Sequence, residues 1–244
     1  STPPREHFLT SKKILNSGFN LIVEKPICVS SSQYMTLKKI ADKKRLYLFE
    51  NMMYFFSKQF SVFNEEIKSL EKIKEIEINF SIPSFNPNSF RNSDHIENSL
   101  LYDVGCYPIS LISFLGIKLS KLKLKFKKKN KILSDLHLAA VSKKIKINIE
   151  ISFYKKYKNY VKLKYLDNSC SIFNHFFYGK KIKKENIKVK KTGELKRFNI
   201  NEINIFKKIF KFKQYEIYKI SNNNEKIIKN YLKILDSIKK KITQ

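Results

Sequence analysis

The sequence predicts a mixed fold in two parts: a truncated, doubly wound α/β sheet over residues 1–50, then an α+β domain over 51–244 carrying a large, mostly antiparallel open sheet. Three observations predict it. Two short apolar runs, Asn20 to Val23 and Leu46 to Phe49, flank a helical stretch, which is the strand–helix–strand rhythm of a doubly wound sheet. After Asn51 the pattern changes, and Ile76, Ile78, Phe80 and Ile82 alternate with polar residues, as in a half-buried strand. Further alternating runs follow at short intervals, joined by polar turns, which favours antiparallel pairing.

Taken in order, Glu6 to Ser17 reads as a helix with Phe8, Leu9 and Ile14 on one side, and Gly18 stands where a helix-ending glycine belongs. Asn20 to Val23 suits a buried parallel strand, closed by Glu24-Lys25-Pro26. Ser30 to Ser32 supply N-cap residues for a helix reaching about Lys44, and Leu46 to Phe49 is the second strand. A helix over Lys58 to Leu70 leads into the strand Ile73 to Ile82. Pro83 to Ser99 is a polar loop, and Leu100 to Leu115 is apolar enough for a buried helix. Strands are expected at Leu119 to Phe126, Ile145 to Phe153, Tyr160 to Leu166 and Ser171 to Phe176, with Lys127-Lys128-Lys129 as a solvated turn. Two helices close the chain, Glu202 to Ile220 and Glu225 to Ile242, separated by Asn222-Asn223-Asn224.

Composition narrows the function. The formal charge is +29, yet it is nearly all lysine; the arginines are Arg5, Arg45, Arg91 and Arg197. Arginine is the residue that grips phosphates and guanines bidentately. The chain is also rich in Asn, Ile, Phe and Tyr and poor in Gly, the drift expected of an A/T-biased genome. The basic surface is therefore read as drift, and neither nucleic acid nor membrane is expected as a partner. The cysteines Cys28, Cys106 and Cys170 are odd in number and widely spaced, and the histidines show no ligand spacing, so no disulfide framework or metal site is expected. A reducing cytoplasm is the expected compartment.

Three local features carry chemistry: Thr2-Pro3-Pro4 with His7; Glu24-Lys25-Pro26 at the carboxyl end of a parallel strand, where open α/β sheets bind ligands; and Asp103-Val104-Gly105-Cys106-Tyr107 heading a buried helix. A phenol can give up a proton, and an ammonium can hold negative charge beside it. Free Tyr and Lys titrate near about 10 and 10.4, and a neighbouring cation is expected to lower a phenol by about 1–3 units.

In order and spacing these features resemble the glucose–fructose oxidoreductase / inositol dehydrogenase family, with Thr-Pro-Pro-x-x-His, Glu-Lys-Pro and Asp-Val-Gly-x-Tyr all present. Glu50-Asn51-Met52-Met53-Tyr54, Tyr107, and the loop residues Phe85, Pro87 and Phe90-Arg91 look closest to the branch that reduces keto groups of nucleotide-linked sugars. The resemblance weakens after about Leu115. It implies a Rossmann domain, NAD or NADP as cofactor, and a sugar or nucleotide-sugar carbonyl as substrate. It implies Lys25 and Tyr107 as the catalytic pair; Thr2, Pro3, His7, Glu24 and Lys25 beside the nicotinamide; and Asn51, Arg91 and Asp103 beside the substrate. It also implies a homo-oligomer through the open sheet.

Two departures stand out. No Gly-x-Gly-x-x-Gly fingerprint occurs, and Ser1 to Pro4 look like a turn leaving an absent strand, so the chain is expected to begin inside a longer gene product, without the part that holds the pyrophosphate. Glu97-Asn98-Ser99 replaces the Gly-rich stretch usual before Asp-Val-Gly. The alternative expectation is therefore a catalytically inactive relic acting only as an interaction module.

Overall fold

The computed structural model describes residues 2–86, 88–178 and 182–244; Ser1 and Pro87, assigned above to the opening turn and to the loop before Asp103, lie outside the described residues. The fold is the expected mixture of a small parallel sheet and a large, mostly antiparallel one.

Helix α1 (His7–Asn16) ends at Gly18, whose φ of +84° reverses the chain at no steric cost. Strands β1 (Leu21–Glu24) and β2 (Leu48–Asn51) pair in parallel, with Leu21 beside Leu48 and Glu24 beside Asn51. Helix α2 (Ser31–Lys43) makes the crossover a parallel pair requires, and the Ser30 hydroxyl caps it by accepting from the Gln33 amide. The pairing brings the ends of both strands, Glu24-Lys25 and Glu50-Asn51, to one edge of the molecule.

Helix α3 (Lys58–Glu66) leads into β3 (Ile73–Ser81), and a kinked pair of helices, α4 (Leu100–Asp103) and α5 (Cys106–Phe114), follows the polar loop. The rest of the large sheet comes from β4 (Ser120–Lys129), β5 (Ile132–Ser142), β6 (Ile145–Ser152), β7 (Lys158–Tyr165), β8 (Cys170–Asn174), β9 (Lys183–Val189) and β10 (Leu195–Asn201). The strand order is β10-β9-β8-β7-β3-β6-β5-β4; β3 and β6 run parallel and every other pair antiparallel. One face buries Ile76, Ile78, Ile147, Ile149, Val161 and Leu163 in an apolar core shared with the helices. The other is laced by polar pairs: Glu75 with Asn148 and Lys164, Glu77 with Tyr160, and Asn79 with Glu150. At the β9–β10 end, Lys184 and Glu202 form a fully buried ion pair, and Glu202 also accepts from the Lys58 and Gln59 amides at the start of α3.

The closing segment departs from expectation. A short helix, α6 (Ile205–Ile209), precedes a single helix, α7 (Gln214–Thr243), which runs straight through Asn222 to Asn224. Three asparagines are poor helix formers, but each costs only about 0.7 kcal/mol against alanine. Ile217, Ser221, Ile228, Leu232, Leu235 and Ile238 bury one stripe of this helix, and the Ser221 hydroxyl bonds the Leu48 carbonyl. Packing of that stripe outweighs the local preference. Lys127 to Lys129 are likewise not a turn but the end of β4, with the reversal at Asn130 and Lys131, both at positive φ. β4 is an outer strand of the sheet, where lysine is a common occupant. Strands β5, β9 and β10 were not expected; in β9 and β10 lysines and asparagines interrupt the apolar alternation. Among the described residues no helix is long and apolar enough to cross a membrane, and no cluster of side chains suits a metal ion.

The kink between α4 and α5 generates a stability prediction. A Cβ on Gly105 would stand 2.5 Å from the Leu101 carbonyl oxygen and 3.0 Å from Ile151 Cδ1. Gly105→Ala is expected to destabilise the protein by roughly 1–3 kcal/mol, read from urea unfolding; a stability equal to the parent's would show that the kink has room to relax.

Candidate active site

The site forms where the carboxyl end of β1 meets the α4–α5 kink. Lys25 follows β1 directly, and its peptide to Pro26 is cis. Its Nζ donates to the Asp103 carbonyl oxygen at 2.6 Å and to Asp103 Oδ1 at 3.1 Å, across 78 residues of chain. The same ammonium lies 4.8 Å from the centroid of the Tyr107 ring. Asp103 closes the last turn of α4 and Tyr107 lies in the first turn of α5, so the kink presents both to Lys25.

Each group is fixed by others. The remaining Asp103 oxygen accepts from Arg91 Nε at 2.6 Å, and the Arg91 guanidinium is held against the Phe90 and Phe85 rings. Tyr107 is wedged among Tyr54, Phe80 and Phe177, with ring centroids 5.5–6.2 Å away. Its hydroxyl has no hydrogen-bond partner among the described residues. The Tyr54 hydroxyl pairs with Ser110, which in turn donates to the Tyr107 carbonyl.

Charge follows this geometry. Burial works against the Lys25 ammonium, but its electrostatic interactions with the Tyr107 phenol group and the Asp103 carboxylate outweigh it, so its pKa rises above that of a free lysine. Asp103, although buried, is held below the usual carboxylate range by Lys25 and Arg91. Burial raises the Tyr107 phenol, and Lys25 offsets only part of the rise. The expectation that a nearby cation would bring the phenol down thus captures one of two opposing effects, and desolvation is the larger. Burial also lifts the Cys106 thiol to about 12, so it stays protonated beside the site.

The other residues singled out in the sequence lie around this centre. His7 is buried, with its ring nitrogens 2.7 Å from the Pro26 carbonyl oxygen and 3.0 Å from the Thr2 carbonyl oxygen, and the nitrogen that carries the proton donates to its carbonyl. Its ring sits between the opening turn and the Lys25–Pro26 turn, while Thr2 is exposed and Pro3 half-buried beside it. Asn51 Nδ2 donates to Glu24 Oε1 at 2.8 Å, whereas Asn51 Oδ1 is buried without a partner. An orphaned acceptor of this kind at the strand end suits a ligand donor.

Sequence reasoning missed the role of Glu50. This buried carboxylate accepts from the Ile27 amide at 2.7 Å, just beyond the Lys25–Pro26 turn, and from the Tyr231 hydroxyl of α7. The signal available was a single acid ending an apolar strand, and nothing in the sequence tied it to Tyr231.

Residues 1–52 match the model of the oxidoreductase family with the NAD-binding Rossmann fold. Over that segment the chain is similar to the glucose–fructose oxidoreductase / inositol dehydrogenase family. Among solved structures, a 3-ketoreductase from Actinomadura kijaniata, in complex with NADP and TDP-benzene, matches with a TM-score of 0.82 at 15% identity, covering 96% of this chain and 74% of that one. An aldose-aldose oxidoreductase from Caulobacter crescentus gives a TM-score of 0.79 at 10% identity, over 98% of this chain and 75% of the other. A UDP-N-acetylglucosamine 3-dehydrogenase from Acidithiobacillus ferrooxidans gives 0.71 at 10% identity, over 97% and 75%. At such identities the likeness is one of fold. No curated protein matches the chain by sequence.

Burial lifts the Glu50 carboxyl from 4.5 to about 7, against the bonds from Tyr231 and Ile27. An acid with a higher pKa folded than unfolded binds its proton more tightly in the native state. Its contribution to stability is full below about 4.5 and is lost as pH rises through about 7. Glu50→Gln, which cannot ionise, is expected to gain stability relative to the parent progressively across that window and by a constant amount above it. Urea unfolding at a series of pH values reads the difference; a pH-independent difference would show that folding leaves the Glu50 pKa where it is in the unfolded chain.

Proposed function

We propose that the protein is an NAD(P)-dependent oxidoreductase that interconverts a carbonyl and a hydroxyl on a sugar, with a nucleotide-linked sugar as the favoured class. The observation that supports it best is the convergence of Lys25, Asp103 and Tyr107, from segments 78 residues or more apart, on the edge where β1 ends. A surface lysine and a core tyrosine would have no reason to meet in this way. The family match over the first 52 residues is in keeping with it, as are the NADP and the TDP-linked ligand of the structurally similar 3-ketoreductase.

Tyr107 is the proton carrier. Its phenol keeps its proton at neutral pH and has a hydroxyl free to bond a sugar oxygen. It gives the proton up as negative charge develops on that oxygen, or takes one in the reverse direction. Lys25 is the electrostatic partner, stabilising the negative charge as it develops on the substrate oxygen and then, once the proton has moved, on the Tyr107 phenolate. Asp103 keeps Lys25 charged and in place, and Arg91 keeps Asp103 in place; both have their charges engaged within the protein, so they shape the substrate pocket chiefly through Lys25. Asn51, with its orphaned Oδ1, faces a substrate or ribose hydroxyl. Thr2, Pro3, His7, Glu24 and Lys25 border the nicotinamide, with His7 fixing the turn. A bound nicotinamide supplies or accepts the hydride.

Lys25→Ala and Tyr107→Phe are each expected to lower kcat by about 10²–10⁴-fold, with a smaller effect on KM. The check is steady-state oxidation of NADH or NADPH against a panel of nucleoside-diphosphate keto sugars. Parent-like turnover in both variants would remove the assigned mechanism.

A further inference from the structure

A second site lies at the other end of α5. Between α7 and the segment linking α5 to β4 is a cleft of about 430 Å³. Its apolar wall is Ile117, Leu119, Leu122 and Ile234, and its rim carries Lys118, Lys226 and Lys233. Lys226, Asn230, Lys233 and Ser237 follow one another at helical spacing along one face of α7. Leu122 lies in the bulge where β4 slips its pairing with β5 between Ser120 and Lys123. Tyr107 lies in the first turn of α5 and Ser113 in the last, so this cleft is separate from the candidate active site.

The cleft is unbalanced in three ways. Lys118, Lys226 and Lys233 make no ion pair or side-chain hydrogen bond among the described residues, and no lining residue is acidic. Ser113 is buried, and its hydroxyl has no hydrogen-bond partner. Four aliphatic residues line the cleft. Two other clefts differ: beside β8, Glu66 pairs with Lys188, and near His175 the lining includes Glu185.

We propose that this cleft binds a small organic anion with an apolar body, the acidic group among the three ammoniums and the body on the aliphatic wall. An inorganic anion would leave the wall wet, and a neutral apolar molecule would leave the lysines and Ser113 unanswered. The volume lies within the range of about 300–1,000 Å³ typical of small-molecule sites. The proposal rests on none of the catalytic assignments.

The test uses the intact chain and anilinonaphthalene sulfonate, an aryl anion whose fluorescence rises on apolar contact. Saturable, one-to-one binding is expected. The combined variant Lys118→Glu, Lys226→Glu and Lys233→Glu should weaken it by more than about tenfold. Lys12→Glu, Lys13→Glu and Lys43→Glu together make the same change in net charge on α1 and α2, and should weaken it by less than about threefold. Circular dichroism melts confirm that both fold; should the first not fold, Lys226→Ala with Lys233→Ala carries the same test. Competition by decanoate or by naphthyl phosphate supports the site and tells an acyl carboxylate from an aryl phosphate. Absence of saturable binding, equal loss in both combined variants, or equal displacement by inorganic phosphate, decanol or an acidic peptide overturns it.

Discussion

The contact between the Lys25 ammonium and Asp103 organises the candidate site. It joins the end of a parallel strand to the kink of a buried helix pair. Both groups are largely removed from water, with side chains 13% and 7% exposed, so neither charge would persist there alone. Together they move apart in pKa, lysine up and aspartate down, and stay ionised over a wide pH range. Buried ion pairs add little net stability. What this one supplies is location: a positive charge held against the face of one particular phenol.

The scaffold around the pair is built to keep it still. Tyr107 is packed on several sides by aromatic rings, leaving its hydroxyl without an internal partner. The Lys25–Pro26 turn is fastened from two directions, by His7 through the Pro26 carbonyl and by Glu50 through the Ile27 amide. Glu50 is in turn bound by Tyr231, so the closing helix α7 braces the turn from outside the sheet. The same helix caps α2 through Asp236, which accepts from the Ser31 amide and hydroxyl, and pairs Lys239 with Glu97 in the loop before α4. One helix thus ties the strand that ends in Lys25 to the segment that carries Asp103 and Tyr107.

Much of the site was legible because its residues sit in short contiguous motifs. Thr2-Pro3-Pro4 with His7, Glu24-Lys25-Pro26 and Asp103 to Tyr107 each announce themselves locally, and their order along the chain points to a family. The division of labour among them was not legible. His7 reads as a ligand neighbour in sequence, yet both of its ring nitrogens face backbone carbonyls. Arg91 and Asp103 read as substrate contacts, yet they bond each other and Lys25. Hydrogen bonds made across long stretches of chain leave no periodic trace. Lys127 to Lys129 and Asn222 to Asn224 show the same limit, since local preference pointed to turns where packing holds a strand and a helix.

Sequence alone determined the fold class and the parallel pair of strands and pointed to the candidate site residues, because burial periodicity and short motifs are local properties. Only the folded chain decided which charges neutralise one another and which hydroxyl is left free. It also decided that the Tyr107 phenol is raised rather than lowered. The reason is physical: pKa values and ion pairing depend on dehydration and on distances of a few ångströms between segments far apart in the chain, and those exist only once the apolar core has closed around them.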